Sequence, residues 1–140
     1  MRFVDTSFWI GLQIPSDQRH PAASTLWGQD RSPLRTSNLV LGETWTFLGQ
    51  RFGRYAAAHF LALVDGSPRL SVAIVDDSID ERAWAWLRRR DERAYSYVDA
   101  TSFEIMRRER ITEALAFDGD FSAAGFVEVR PHLDGIPARG

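Results

Sequence analysis

Short runs of strand-favouring residues alternate along this chain with longer stretches whose apolar positions recur at helical spacing. The strand-like runs are Phe3-Val4, Leu34 to Ser37, Leu70 to Val75, Ile111 to Phe117 and Phe126 to Val129. Between them the spacing predicts helices over Phe8 to Leu12, Pro21 to Gln29, Tyr55 to Asp65, Ser78 to Arg90 and Ala100 to Arg108, with a helical turn from Phe121 to Ala124. Pro21 suits the first turn of its helix. Asn38 reads as the cap of a longer helix with an apolar stripe of Leu41, Trp45, Leu48 and Phe52, which Gly53 ends. Gly66-Ser67-Pro68 is turn chemistry. Strands that alternate with helices, and no repeat or linker between them, predict an α/β fold with a parallel sheet.

Composition narrows the class. With 140 residues the chain is one domain that can bury roughly two-thirds of its unfolded surface. At 44% hydrophobic it has material for a core, yet no apolar run nears the ~20 residues of a membrane span. No export signal is recognisable at the N-terminus, and cysteine is absent; both suit a cytoplasmic protein. All 17 basic side chains are Arg, which excludes lysine-dependent phosphate loops and amine catalysis. A net charge of −2 does not mark the whole surface as a nucleic-acid binder.

The acidic residues change the picture. Asp5 ends the first strand, Asp118 follows the fourth, Asp99 opens a helix and Glu43 lies just over one turn into another. Each has an ordinary structural use: Asp5 and Asp120 as helix caps, Asp99 with Ser102 as a helix start, Asp118-Gly119 as a turn, Glu43 on a solvated face. In an open α/β sheet, however, such junctions share the edge outside the carboxyl ends of the strands, where ligands bind. Carboxylates that converge there repel one another and take up protons unless a cation neutralises them. Oxygen-only ligands favour Mg²⁺ or Mn²⁺, and such an ion activates water and steadies charge on a phosphoryl group. The constellation therefore points to metal-dependent phosphodiester hydrolysis.

Val4-Asp5-Thr6-Ser7, Gly42-Glu43-Thr44, Val98-Asp99-Ala100-Thr101-Ser102-Phe103 and Phe117-Asp118-Gly119-Asp120-Phe121 together resemble the signature of PIN domains, and more narrowly of the VapC toxins of toxin–antitoxin pairs. The resemblance runs from Arg2 to about Pro131, with the motifs in the family's order. It implies a three-layer α/β/α domain over residues 1–131, with a mostly parallel sheet of four to five strands, and a loose tail over 132–140. It implies a Mg²⁺- or Mn²⁺-dependent endoribonuclease with one or two ions, dimeric and restrained by a VapB-type antitoxin. Asp5, Glu43, Asp99 and Asp118 would form the catalytic, metal-holding set, supported by Ser7, Ser102 and the less uniform acidic position Asp120. One position departs: where many PIN domains have Thr, two residues before the last motif's Asp, this chain has Ala116. Asn38 to Trp45 and Tyr97 to Pro131 are similar to an actinobacterial branch with members that cut the sarcin–ricin loop of ribosomal RNA, which makes that loop the favoured target and transfer RNA the next.

Arginine clusters occur at Arg88-Arg89-Arg90 with Arg93 and at Arg107-Arg108 with Arg110. The second cluster lies on the helix that carries Asp99, so Arg107, Arg108 and Arg110 are the first candidates for RNA phosphates; a solvated face paired with neighbouring acids is the competing reading. Trp45 and Trp86 read as core, whereas Trp9 and Trp27 could form an exposed patch for an antitoxin helix. His20, His59 and His132 have no ligand spacing. A phosphoaspartyl receiver would need a lysine that is absent, and a haloacid-dehalogenase-type phosphatase would need Asp where Ser7 stands. A PIN-like module that binds RNA or protein without cutting is the remaining alternative, and retention of all four carboxylates argues against it.

Overall fold

The computed structural model describes residues 1–132. The expected tail falls on 133–140, outside the described residues, apart from its first position, His132. Twelve elements follow in order: β1 (Arg2–Val4), α1 (Thr6–Gln13), α2 (His20–Gln29), β2 (Leu34–Ser37), α3 (Asn38–Phe52), α4 (Arg54–Asp65), β3 (Leu70–Ala73), α5 (Asp77–Arg88), α6 (Tyr97–Glu109), β4 (Glu113–Leu115), α7 (Asp120–Ala123) and β5 (Val127–Glu128).

The strands form one sheet in the order β3-β2-β1-β4-β5, and every pairing is parallel. The chain builds outward from β1 to β3, then crosses back to add β4 and β5 on the other side. Right-handed crossovers then place the two groups of helices on opposite faces. The main contacts follow these groups, with α1 on α2 and α3, α3 on α4, and α5 on α6, which also touches α7, while α3 and α6 meet between them. The sheet is thus flanked by helices, the α/β arrangement the sequence predicts.

Two aromatic clusters fill the layers. Trp9 packs its edge on Phe60 at 5.4 Å and on Trp27 at 5.8 Å, and Phe8 stacks on Phe117. In the other cluster Phe103 meets Phe121 at 4.9 Å, Trp86 at 5.3 Å and Phe126 at 5.5 Å. Burying an aromatic side chain of this size is worth about 2–3 kcal/mol. Trp9 is fully buried, and Trp27 is partly buried beneath Arg69, so the expected exposed Trp9–Trp27 patch is not formed.

Several boundaries shift for identifiable reasons. Ser37, not Asn38, caps α3: its hydroxyl accepts from the Val40 amide at 3.1 Å, while the Asn38 side chain accepts from the Val75 amide at 2.9 Å. The buried line of α3 is Val40, Thr44 and Leu48: of the predicted stripe Leu48 is buried, Leu41 and Trp45 are partly buried and Phe52 is exposed. Thr44 can be buried because its hydroxyl donates to the Val40 carbonyl at 2.8 Å. Helix α6 begins at Tyr97, not Ala100, because Ser96 and Asp99 form a reciprocal capping box. Strands β3, β4 and β5 are shorter than their apolar runs. Among the described residues, no helix is long and apolar enough to cross a membrane.

Candidate active site

Strand β1 lies between β2 and β4, so the chain changes direction beside its carboxyl end. Such a switch point opens a crevice. Asp5 is the first residue past β1, only 2% exposed, and it caps α1. Its amide donates to the Leu115 carbonyl of β4 at 3.0 Å, and its Oδ2 accepts from the Ser7 hydroxyl at 2.8 Å and the Ser7 amide at 3.2 Å. The Ser7 hydroxyl in turn accepts from the Phe117 amide at 2.9 Å. Ser7 therefore ties the first acidic position to the loop that carries Asp118.

Asp99 stands at the third position of α6. Its Oδ2 accepts from the Ser96 amide at 3.3 Å while the Ser96 hydroxyl accepts from the Asp99 amide at 3.0 Å. Asp118 and Asp120 flank Gly119, whose left-handed backbone makes the turn (φ 84°). The Asp120 amide donates to Asp118 Oδ1 at 3.0 Å. The fully buried Glu128 of β5 secures the turn from behind, accepting from the Gly119 amide at 3.2 Å and the Ser122 amide at 3.0 Å. Glu43 reaches the same place from α3. Below it, the Thr44 and Thr6 hydroxyls lie 3.2 Å apart and Thr6 donates to the same Val40 carbonyl at 3.4 Å, fixing α3 against α1.

Asp5, Glu43, Asp99 and Asp118, drawn from separate segments of the chain, all line one cleft of about 310 Å³, together with Ser7, Ser96 and Asp120. Asp99, Asp118 and Asp120 each present a carboxylate oxygen within 4.8 Å of the others, a group that could hold a metal ion. A larger trough of about 600 Å³, lined by Leu39, Phe47, Tyr97 and Val98, adjoins the cleft at Glu43.

The electrostatics follow from this crowding. Burial, then the nearby Asp118 and Asp99 charges, push the Asp5 carboxyl up to about 8 against the opposing hydrogen bonds from Ser7. Asp99 rises to about 7, through burial and the charges of Asp120 and Asp118. Asp118 is raised as well, by burial first and then by Asp120 and Glu128. Carboxylates that resist ionisation beside one another, with only oxygen donors at hand, fit a hard divalent cation.

The other expected contributors lie elsewhere. Ser102 is buried and donates to its own helix, at the Val98 carbonyl, 3.0 Å away. Arg107 and Arg108 both pair with Glu104, and Arg108 also donates to Ser78. Arg110 closes α6 in the left-handed conformation. None of these lines the cleft. The arginine at its rim is Arg93, whose Nε donates to Asp120 at 2.6 Å and whose Nη2 donates to the Asp118 carbonyl at 3.1 Å. Sequence reasoning placed Arg93 in a charge cluster without connecting it to the acids, and it missed Glu128. A single acid inside the apolar run Phe126 to Val129 was the available signal.

A family profile described as PIN domain matches residues 2–127, and the chain belongs to that family. It is 53% identical over 135 residues to the 23S rRNA-specific endonuclease VapC20 of Mycobacterium tuberculosis, covering 94% of this chain and 99% of that protein. The crystal structure of the same M. tuberculosis protein, described as a sarcin–ricin loop cleaving toxin, matches with a TM-score of 0.89 over 94% of this chain and 100% of that one. A chain of a toxin–antitoxin complex from Klebsiella pneumoniae, 18% identical, shares the fold at a TM-score of 0.57, covering 81% of this chain and 83% of that one. Within the PIN domains, then, this chain is a VapC-type endonuclease.

Proposed function

We propose that this protein is a Mg²⁺- or Mn²⁺-dependent endoribonuclease toxin that cuts the sarcin–ricin loop of large-subunit ribosomal RNA and so stops translation. The observation that carries the reading is the meeting of Asp5, Glu43, Asp99 and Asp118 in one cleft at the switch point of the sheet. The 53% identity to an endonuclease specific for 23S rRNA, spread over nearly the whole chain, supports the target. Asp5, Glu43, Asp99 and Asp118 would hold one or two ions, directly or through water, with Asp120 beside them. A divalent ion supplies an acidified water and a positive charge beside the scissile phosphate.

The chain's own groups supply position. Ser7 holds Asp5 Oδ2 fixed, and the capping box holds one Asp99 oxygen, leaving the other for the cleft. Water adds across the P–O3′ bond: its oxygen joins phosphorus in line with the departing oxygen, and a proton ends on O3′. The fragments then carry a 5′-phosphate and a 3′-hydroxyl. An RNA that extends along α6 would meet Arg107, Arg108 and Arg110, about 12 Å or more beyond Asp99 at 1.5 Å per residue. Contacts of that kind weaken as salt rises.

The same reading takes residues 1–131 as a single cytoplasmic PIN domain that forms a homodimer and is restrained by a VapB-type antitoxin, as its place among the VapC proteins supports. The test is incubation of ribosomes with purified protein and Mn²⁺, followed by mapping of RNA ends. One new end within the sarcin–ricin loop, absent with Asp5→Ala, is the expected result. Cleavage confined to transfer RNA would overturn the target, and equal cleavage by Asp5→Ala would overturn the site.

A further inference from the structure

Arg93 lies in the short connection between α5 and α6, on the rim of a cleft whose own lining includes five acidic residues and no basic one among the described residues. Its contacts are specific. Nε donates to Asp120 Oδ1 at 2.6 Å, a charge-assisted bond, and Nη2 donates to the Asp118 backbone carbonyl at 3.1 Å. The guanidinium thus bridges both ends of the Asp118-Gly119-Asp120 turn.

The turn is shaped to receive it. A Cβ on Gly119 would stand 3.2 Å from Arg93 Nη2, so the guanidinium lies directly against the backbone of the turn. The left-handed backbone is what calls for glycine at 119; the Arg93 tip, the far end of a flexible side chain, lies close to it. Arg93 therefore sets a positive charge, held by two hydrogen bonds, against one corner of the carboxylate group Asp99, Asp118 and Asp120.

We propose that Arg93 takes the place of a second divalent cation, so that the cleft binds one metal ion and uses the guanidinium as its other positive charge. Two consequences of the geometry support this. Asp120 Oδ1 is committed to Arg93, which removes one donor from any second ion at that corner. A permanently charged group a hydrogen bond away from Asp120 also repels a cation there. The proposal rests on the metal-dependent reading above but concerns only how many ions the cleft accepts and which side chain sets that number.

The experiment is titration of the full-length protein with Mn²⁺, read as bound ions per chain by the loss of the free-ion electron paramagnetic resonance signal. Wild type and Arg93→Lys should bind one ion. Arg93→Gln should bind two, and the double variant Arg93→Gln/Asp120→Asn should return to one. Two ions in the wild type, or one in Arg93→Gln, would overturn the assignment of Arg93. No Mn²⁺ binding by folded wild type would instead remove the metal-dependent function, so the two failures are distinguishable. Circular dichroism of each variant establishes that its count comes from folded protein.

Discussion

Asp5 and Asp30 are both buried aspartates, at 2% and 7% exposed, near opposite ends of β1, yet their chemistry is reversed. Burial raises both carboxyls. At Asp30 it is outweighed by the Ser32 hydroxyl and amide at 2.5 and 2.8 Å and by the Arg2 guanidinium at 2.9 Å, which hold the carboxyl below its ordinary value. Arg2 also reaches Glu113 at 3.2 Å, so that end of the sheet is stitched by complementary charge. At Asp5 the neighbours are other carboxylates, and the group rises to about 8. The lesson is that burial alone does not mark a working site: company does. One end of the sheet satisfies its charges internally, and the other leaves them for something that arrives.

Removing each acid breaks the symmetry of this pair. Asp5→Asn should lower RNA cleavage by roughly 1000-fold or more, the loss of several kcal/mol of charge stabilisation, while the fold persists because the amide oxygen still accepts from Ser7. Asp30→Ala should leave cleavage per folded molecule unchanged and cost about 2–3 kcal/mol of stability in urea titration. An Asp30→Ala protein that is stable but inactive would dissolve the distinction. Next in size, Ser7→Ala should reduce cleavage about 10–100-fold, the usual cost of losing a partner that orients a ligand side chain. Its effect should fall on the metal concentration required more than on RNA affinity.

The pH dependence is the most diagnostic effect. Folded Asp5 keeps its proton up to about pH 8, whereas the unfolded chain releases it near 4, so folding without metal is favoured at low pH. That contribution is lost as pH rises through 8. Asp30 acts in the opposite sense, and its contribution is lost only in acid. Metal-free protein should therefore show a falling Tm from pH 5 to pH 9, flattened in Asp5→Asn and reversed by saturating Mg²⁺. A flat profile in metal-free wild type would mean that the cleft carboxylates are not crowded in solution.

The sequence made the sheet and most of the cleft readable because acids at strand ends are separable from their surroundings by one letter. Asp5 after Phe3-Val4 and Asp118 after Phe117 needed no knowledge of packing. The start of α6 was misplaced because Ser96 and Asp99 cap each other, a reciprocal bond that an apolar-run reading of Tyr97-Val98 passes over. Leu48 lies in the buried line of α3 as expected, but that line runs on through Thr44 and Val40 instead of Trp45 and Leu41, because the Thr44 hydroxyl is satisfied within its own helix, which makes a polar letter behave as core. Glu128 and Arg93 were beyond reach for another reason. Their roles come from how the chain folds back on the Asp118–Ser122 turn, six to nine residues before Glu128 and 25–27 residues after Arg93, and neither periodicity nor spacing encodes who stands opposite whom.

Because one Asp99 oxygen is spoken for by the backbone of Ser96, an amide in its place would still close the helix. Aspartate and asparagine codons differ by a single base in the first position. On the proposed assignment of Asp99, one nucleotide change at its codon should therefore end cleavage and still leave a well-folded chain.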